Sequence, residues 1–279
     1  MNYFQEDIMS EFINAVREMA DGGLNGVSDA VILAMSVVCG LLIVASIIAL
    51  GVSIYLAISY VRYNKTQNSC GRTGEEIART ILDKNGLQKI KVSKTGSILF
   101  GNSYSHYFKK VRLRRLTWKK QSVTSLAMAA QKSALAVLDK ENDKDMRTRI
   151  RLTPLIYLGP IAFVPMVIVG VLLDMLLFKN TNAYCGIIFT VIGLVFYLLS
   201  FVMSILVLKT EKKAQKRAYE IMKDEGLATK EELEMCKKLF RLYNIEYIND
   251  MIIALLELVY QVLQIVAYAQ NSSSSSSKS

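Results

Sequence analysis

Residues 30–61 run for 32 positions without a single charged side chain, and that one feature decides most of what the chain can become. An apolar run of this length has nowhere to go in a small water-soluble domain, and in a bilayer it must be a helix, which satisfies its own backbone groups. As a helix it would measure about 48 Å against about 30 Å of hydrocarbon, so it tilts or projects at one end. Residues 152–178 carry only Asp174, and residues 181–208 carry no charge. Both are also long enough to span. A fourth segment, 251–270, places Glu257, Gln261 and Gln264 on one helical face. That polar stripe argues for a span packed against other helices, with an interfacial helix as the alternative. The remaining sequence is strongly charged. Hydrophobic residues make up 52% of the 279 residues and charged residues 21%, so the two are segregated rather than mixed.

The charges also orient the chain. The first 29 residues hold Glu6, Asp7, Glu11, Glu18, Asp21 and Asp29 against Arg17 alone, which is not the basic start of a cleavable signal peptide. Residues 62–151 hold 21 basic and 7 acidic side chains, and Lys209, Lys212, Lys213, Lys216 and Arg217 follow the third apolar segment. Between the second and third segments only Lys179 is charged. By the positive-inside rule the N-terminus lies outside a cell membrane and residues 62–153 lie in the cytoplasm. Of the four cysteines, Cys39 and Cys185 fall in apolar segments, and Cys70 and Cys236 on the cytoplasmic side, so neither a disulfide framework nor a zinc-binding cysteine pair is expected.

The expected fold is mainly α: an integral membrane protein with three to four transmembrane helices and a small α+β cytoplasmic domain. Residues 1–29 form an extracytoplasmic amphipathic helix, with Phe4, Ile8, Phe12 and Val16 at helical spacing and an acidic polar face suited to packing on another helix or subunit. The first span is 30–61, with Ser28 as its N-cap, and the basic domain is 62–153. Spans two and three are 154–178 and 181–208, cytoplasmic helices occupy 209–247, helix four 248–270, and residues 271–279 are a disordered serine-rich tail. Within the basic domain, Thr73 to about Lys84 reads as a helix stopped by Asn85-Gly86. Two short strands follow, 90–92 and 110–113. The second, Lys110-Val111-Arg112-Leu113, alternates in the period of a half-buried edge strand. It sits in a basic patch of Lys109, Lys110, Arg112, Arg114, Arg115, Lys119 and Lys120, with Trp118 as an interfacial anchor. The patch reads as a solvated edge beside the inner leaflet, and nucleic acid is not an expected partner. Thr229-Lys-Glu-Glu232 reads as a capping box.

The order of these pieces resembles the membrane-embedded neutral zinc metallopeptidases of bacteria, the YugP type, over about residues 71–267. Gly-Arg-Thr-Gly-Glu-Glu-Ile-Ala-Arg-Thr-Ile-Leu-Asp-Lys-Asn-Gly-Leu at 71–87 is similar to that family's opening helix. His106-Tyr107 and the strand at 110–113 follow in family order, and 122–137 resembles the helix that carries the metal motif. Glu211 resembles the family's third ligand, with Lys213 where the family has an aspartate. The resemblance implies a zincin-like domain, a zinc cofactor and peptide hydrolysis. The residues contradict the last two. In a His-Glu-x-x-His helix two histidines hold the metal and the glutamate activates water. Here Gln131 and Leu135 replace the histidines and Lys132 replaces the glutamate. His106 is the sole histidine of the chain and reads as a structural, hydrogen-bonded residue.

The sequence therefore leads to a degenerate site of Gln131, Lys132, Leu135 and Glu211, no catalytic residue, no metal and no other cofactor. Lys132 and Glu211 are expected to neutralise one another where the metal would have been. The function expected is that of a scaffold, subunit or regulator, in contact with membrane lipid and with other membrane proteins in a homo- or hetero-oligomer. The strand at 110–113 would hold a peptide by strand addition. A subunit of a channel or translocation complex is the alternative from another class, with Glu257 and Gln261 lining a lumen. An enzyme of unrelated chemistry fares worst, because the sequence has no phosphate loop, no nucleophile elbow and no histidine partner for a cysteine.

Overall fold

The computed structural model describes residues 2–19, 24–95, 101–176 and 185–276. They form, in order, α1 (Asn2–Met19), α2 (Asp29–Lys65), α3 (Gly74–Lys84), β1 (Lys91–Lys94), β2 (Ser103–Ser105), β3 (Lys110–Leu113), α4 (Arg115–Trp118), α5 (Val123–Lys140), α6 (Lys144–Leu176), α7 (Cys185–Asp224) and α8 (Lys230–Ser276). The molecule is a mainly helical membrane protein with one small three-stranded sheet. Among the described residues, three helical stretches are long and apolar enough to cross a bilayer: Asp29–Lys65, Val191–Asp224 and Lys230–Asn271. The first and third contain the segments expected at 30–61 and 248–270, and the second contains most of that expected at 181–208, whose residues 181–184 lie outside the described residues. The span expected at 154–178 falls on α6, with 177 and 178 outside the described residues. The tail expected to be disordered at 271–279 instead continues α8 through Ser276, its last three residues lying outside the described residues. The apolar half of α8 presents Ile252, Leu255, Val259, Val262 and Val266 outward, as a lipid-facing helix does.

The chain divides into two compact units. One contains the residues up to Ile48 and those from Ile252 onward. Its small core joins Ile13 of α1, Val27, Ile32 of α2 and Ala267 of α8. Arg17 ties α1 down by donating to the Val27 carbonyl at 2.7 Å and to Asp29 at 2.7 Å. The side chains of Gln270 and Asn271 accept from the backbone N–H groups of Ser28 and Gly26. The end of α8 thus lies at the start of α2.

The other unit, Ala49–Met251, is organised around α5. From Val123 to Leu138 every residue of α5 except Lys132 is buried, the pattern of a helix enclosed on all sides. Its alanines let α3 and α7 approach closely, and the sheet covers it through Val111, Leu113, Val92 and Tyr104. Ser122 caps the helix by accepting from the Ser125 N–H. The local stop and start signals of the sequence are realised. Thr73 and Glu76 form a reciprocal capping box on α3, Gly86 ends that helix at φ +66°, and Thr229 with Glu232 repeats the box on α8.

The sheet corrects the strand reading. Its order is β1-β3-β2, with β1 parallel and β2 antiparallel to β3. Lys110, Val111, Arg112 and Leu113 are therefore the central strand, not an edge. Both rows of their backbone groups are bonded, so a peptide has no place to add there. The alternation reports a half-buried face and says nothing about lateral position. The first strand, expected at 90–92, starts one residue later and ends two later, at Lys91–Lys94. β2 lies in Asn-Ser-Tyr-Ser-His, where Tyr104 alone is apolar, so no alternating pattern announced it.

Candidate functional site

The site is built where the one unburied face of α5 meets α7 just past its apolar part. Glu211 follows Leu208, the last apolar residue of that helix, by three positions. The sequence of α5 is enclosed except at Lys132, so the lysine is the one long side chain of that stretch free to reach outward. It donates to Glu211 Oε2 at 2.8 Å. Gln131, one position earlier and itself buried, donates its amide to the same oxygen at 2.9 Å. The other carboxylate oxygen, Oε1, accepts from Arg149 of α6 at 3.0 Å, and the same guanidinium donates to Thr210 Oγ1 at 2.8 Å. Thr210 in turn donates to the Val207 carbonyl.

Glu211 is thus enclosed by three donors, two of them cationic. Burial alone would push its carboxyl up, but the Lys132 ammonium and the Arg149 guanidinium outweigh burial and hold it below its ordinary value. The side chains of Lys132, Glu211 and Arg149 are 13%, 15% and 20% exposed, so solvent screens the group weakly. Of the four residues singled out by the sequence, three converge. Leu135, one turn further along α5, does not face this group and is packed in the core at 1% exposure.

A second layer of charge flanks the site. Lys213 bridges Asp143 and Asp145 at the start of α6, at 2.7 and 2.5 Å. Lys209 reaches Asp145 and Arg217 reaches Glu141. Hydrogen bonds from Lys213 and Lys209 hold Asp145 below its ordinary value. For Asp143 burial acts upward and the Lys213 contact prevails, again lowering it. His106 accompanies none of these. Its Nδ1 lies 2.6 Å from Asp139 Oδ2, which also accepts from the Tyr104 hydroxyl at 2.5 Å. Burial, with help from Asp139, raises the Tyr104 hydroxyl far above its ordinary value. His106 is a hydrogen-bonded partner of α5, as its isolation in the sequence suggested.

The basic patch divides. Lys109, Lys110 and Arg112 line one hollow on the outer face of the sheet, while Arg114, Arg115, Lys119 and Lys120 stand exposed around α4. Trp118 is half-buried against the core. The sequence missed Arg149, Thr210 and Asp139. Arg149 reads there as one of three arginines flanking an apolar segment, and only its partner distinguishes it.

These residues do not fit a zinc ion. Glu211 is the one anionic donor in the group, and both of its oxygens already accept from cations. Gln131 turns a donor toward it, Leu135 is hydrocarbon, and a lysine ammonium stands where a dication would be repelled. Among the described residues no group of three or more His, Cys, Asp or Glu side chains converges to hold a metal.

Comparison with known proteins places the chain. A family model described as "putative neutral zinc metallopeptidase" matches residues 38–266. The chain is 26% identical over 227 residues to the protein named "Putative membrane protease YugP" of Bacillus subtilis (strain 168), covering 80% of this chain and 96% of that one. No solved structure matches the chain.

Proposed function

The chain belongs to the neutral zinc metallopeptidase family, and on that premise we propose that it is a non-catalytic, peptidase-like membrane protein that works by binding other membrane proteins. The observation that carries the reading is Glu211, the family-like acidic position, gripped by Lys132 from the motif helix and Arg149 from α6. A buried carboxylate deprived of a dication needs compensation by other cations, and here the compensation is built into the chain. The general base and both imidazole ligands are replaced at the same positions, so no residue of this group can activate water or bear a proton on and off a leaving amine.

The helical body would then serve as a subunit, scaffold or regulator in a membrane complex. Its N-terminus lies outside and residues 62–153 in the cytoplasm, a topology supported by the charge asymmetry of the sequence. Affinity purification of the full chain from its native membrane in a mild detergent tests this reading. A membrane protein recovered in constant proportion to the chain is expected. Recovery of the chain alone, together with zinc-dependent cleavage of an unfolded protein substrate, would overturn it.

A further inference from the structure

We propose that the outer face of the sheet and the turn between β2 and β3 form a binding surface for anionic phospholipid headgroups of the membrane the chain spans. Strand register puts Val92, Val111 and Tyr104 on the core side, so Lys91, Lys110 and Arg112 share the opposite face with Ser93, Ser103 and Ser105. Lys91 and Lys110 are direct cross-strand partners, a like-charge pairing that destabilises a sheet unless an anion relieves it. Lys89, Lys91, Lys109, Lys110 and Arg112 line one open hollow together with Phe108. Among the described residues none of these five cations has a carboxylate partner, whereas Lys209, Lys213 and Arg217 nearby in sequence to the site all do. The surface is charged for something outside the protein.

Its position selects the occupant. Tyr107 in the turn donates to the Ile150 carbonyl at 2.9 Å, and Ile150 stands just before Leu152, where the charged start of α6 gives way to its apolar run. The turn is therefore fixed at the level where α6 meets the membrane surface. There it exposes Phe108 at 70%, with the Arg112 guanidinium lying over the ring at 5.5 Å. An exposed aromatic ringed by lysines is suited to the headgroup layer, the ring in the acyl boundary and the cations among phosphates. Lys109 adopts φ +46°, a left-handed conformation that a glycine or asparagine would hold with less strain. Arg79 fixes the opposite rim by donating to the carbonyls of Ile90 and Leu87, which flank Lys89.

The test uses the full-length protein with Phe108→Trp and Trp118→Phe, so that one indole reports from the turn. In neutral detergent it is titrated with short-chain phosphatidylglycerol, short-chain phosphatidylcholine, glycerol phosphate and a short RNA. Saturable blue-shifted emission with phosphatidylglycerol alone is expected, and Lys91→Gln or Lys110→Gln should each weaken it about fivefold. Equal responses to phosphatidylcholine, equal binding of glycerol phosphate, a response to RNA in place of lipid, or titrations unmoved by the lysine substitutions would each overturn the proposal.

Discussion

Glu211 ties together two cations from two different helices, Lys132 of α5 and Arg149 of α6. Removing it strands both, whereas removing Lys132 leaves Arg149 on one oxygen and the Gln131 amide on the other. Glu211→Gln is therefore expected to lower the apparent Tm in detergent more than Lys132→Met does, with a loss of about 3–5 kcal/mol for the former. The double substitution should lose less than Glu211→Gln alone, since one stranded cation is gone. Strictly additive losses in the same melting series would contradict the coupling. Acid should act on the same group. Because the folded carboxyl of Glu211 lies below 4.5, its contribution is complete above 4.5 and is lost as the pH falls through the lower folded value. Asp143 and Asp145, also lowered, add losses in the same direction. Apparent Tm measured from neutrality downward should hold level and then fall below 4.5, and Glu211→Gln should flatten part of that fall.

At the scale of the element, close packing rather than charge sets the limits. Gly74 opens α3 so near α4 that a Cβ there would lie 2.2 Å from the Thr117 carbonyl oxygen, a backbone atom that cannot swing away. Gly74→Ala should destabilise by about 1–3 kcal/mol through overpacking, despite alanine's better helix propensity. A rise in Tm would contradict the close approach of α3 and α4. What the sequence revealed at this scale follows the range of the interaction. Caps and stops were legible, since Thr73 and Glu76, or Thr229 and Glu232, lie within one turn of each other. β2 was not, because its pairing energy comes from β3 and its residues carry no pattern of their own. The central place of β3 was also hidden, since alternation of Lys110, Val111, Arg112 and Leu113 fixes which face is buried and not which neighbours are present. Likewise Lys132 and Glu211 could be paired through a family resemblance, but Arg149 could not. Nothing in an arginine beside an apolar run shows that it turns inward to a carboxylate 62 positions away.

For the whole molecule, the segregation of charge predicts a topology and the donor set predicts a chemistry. In a chain whose own cysteines are replaced, Asn25→Cys should be labelled from outside intact cells by an impermeant maleimide and Thr95→Cys should be protected. The reverse pattern would invert the orientation. The central claim is that this family member has exchanged its metal for internal cations, and the metal content of the full-length protein tests it most directly. Purified from its membrane without chelators and analysed by inductively coupled plasma mass spectrometry, the protein should hold no stoichiometric zinc. About one zinc per chain, lost on Glu211→Ala, would contradict the account.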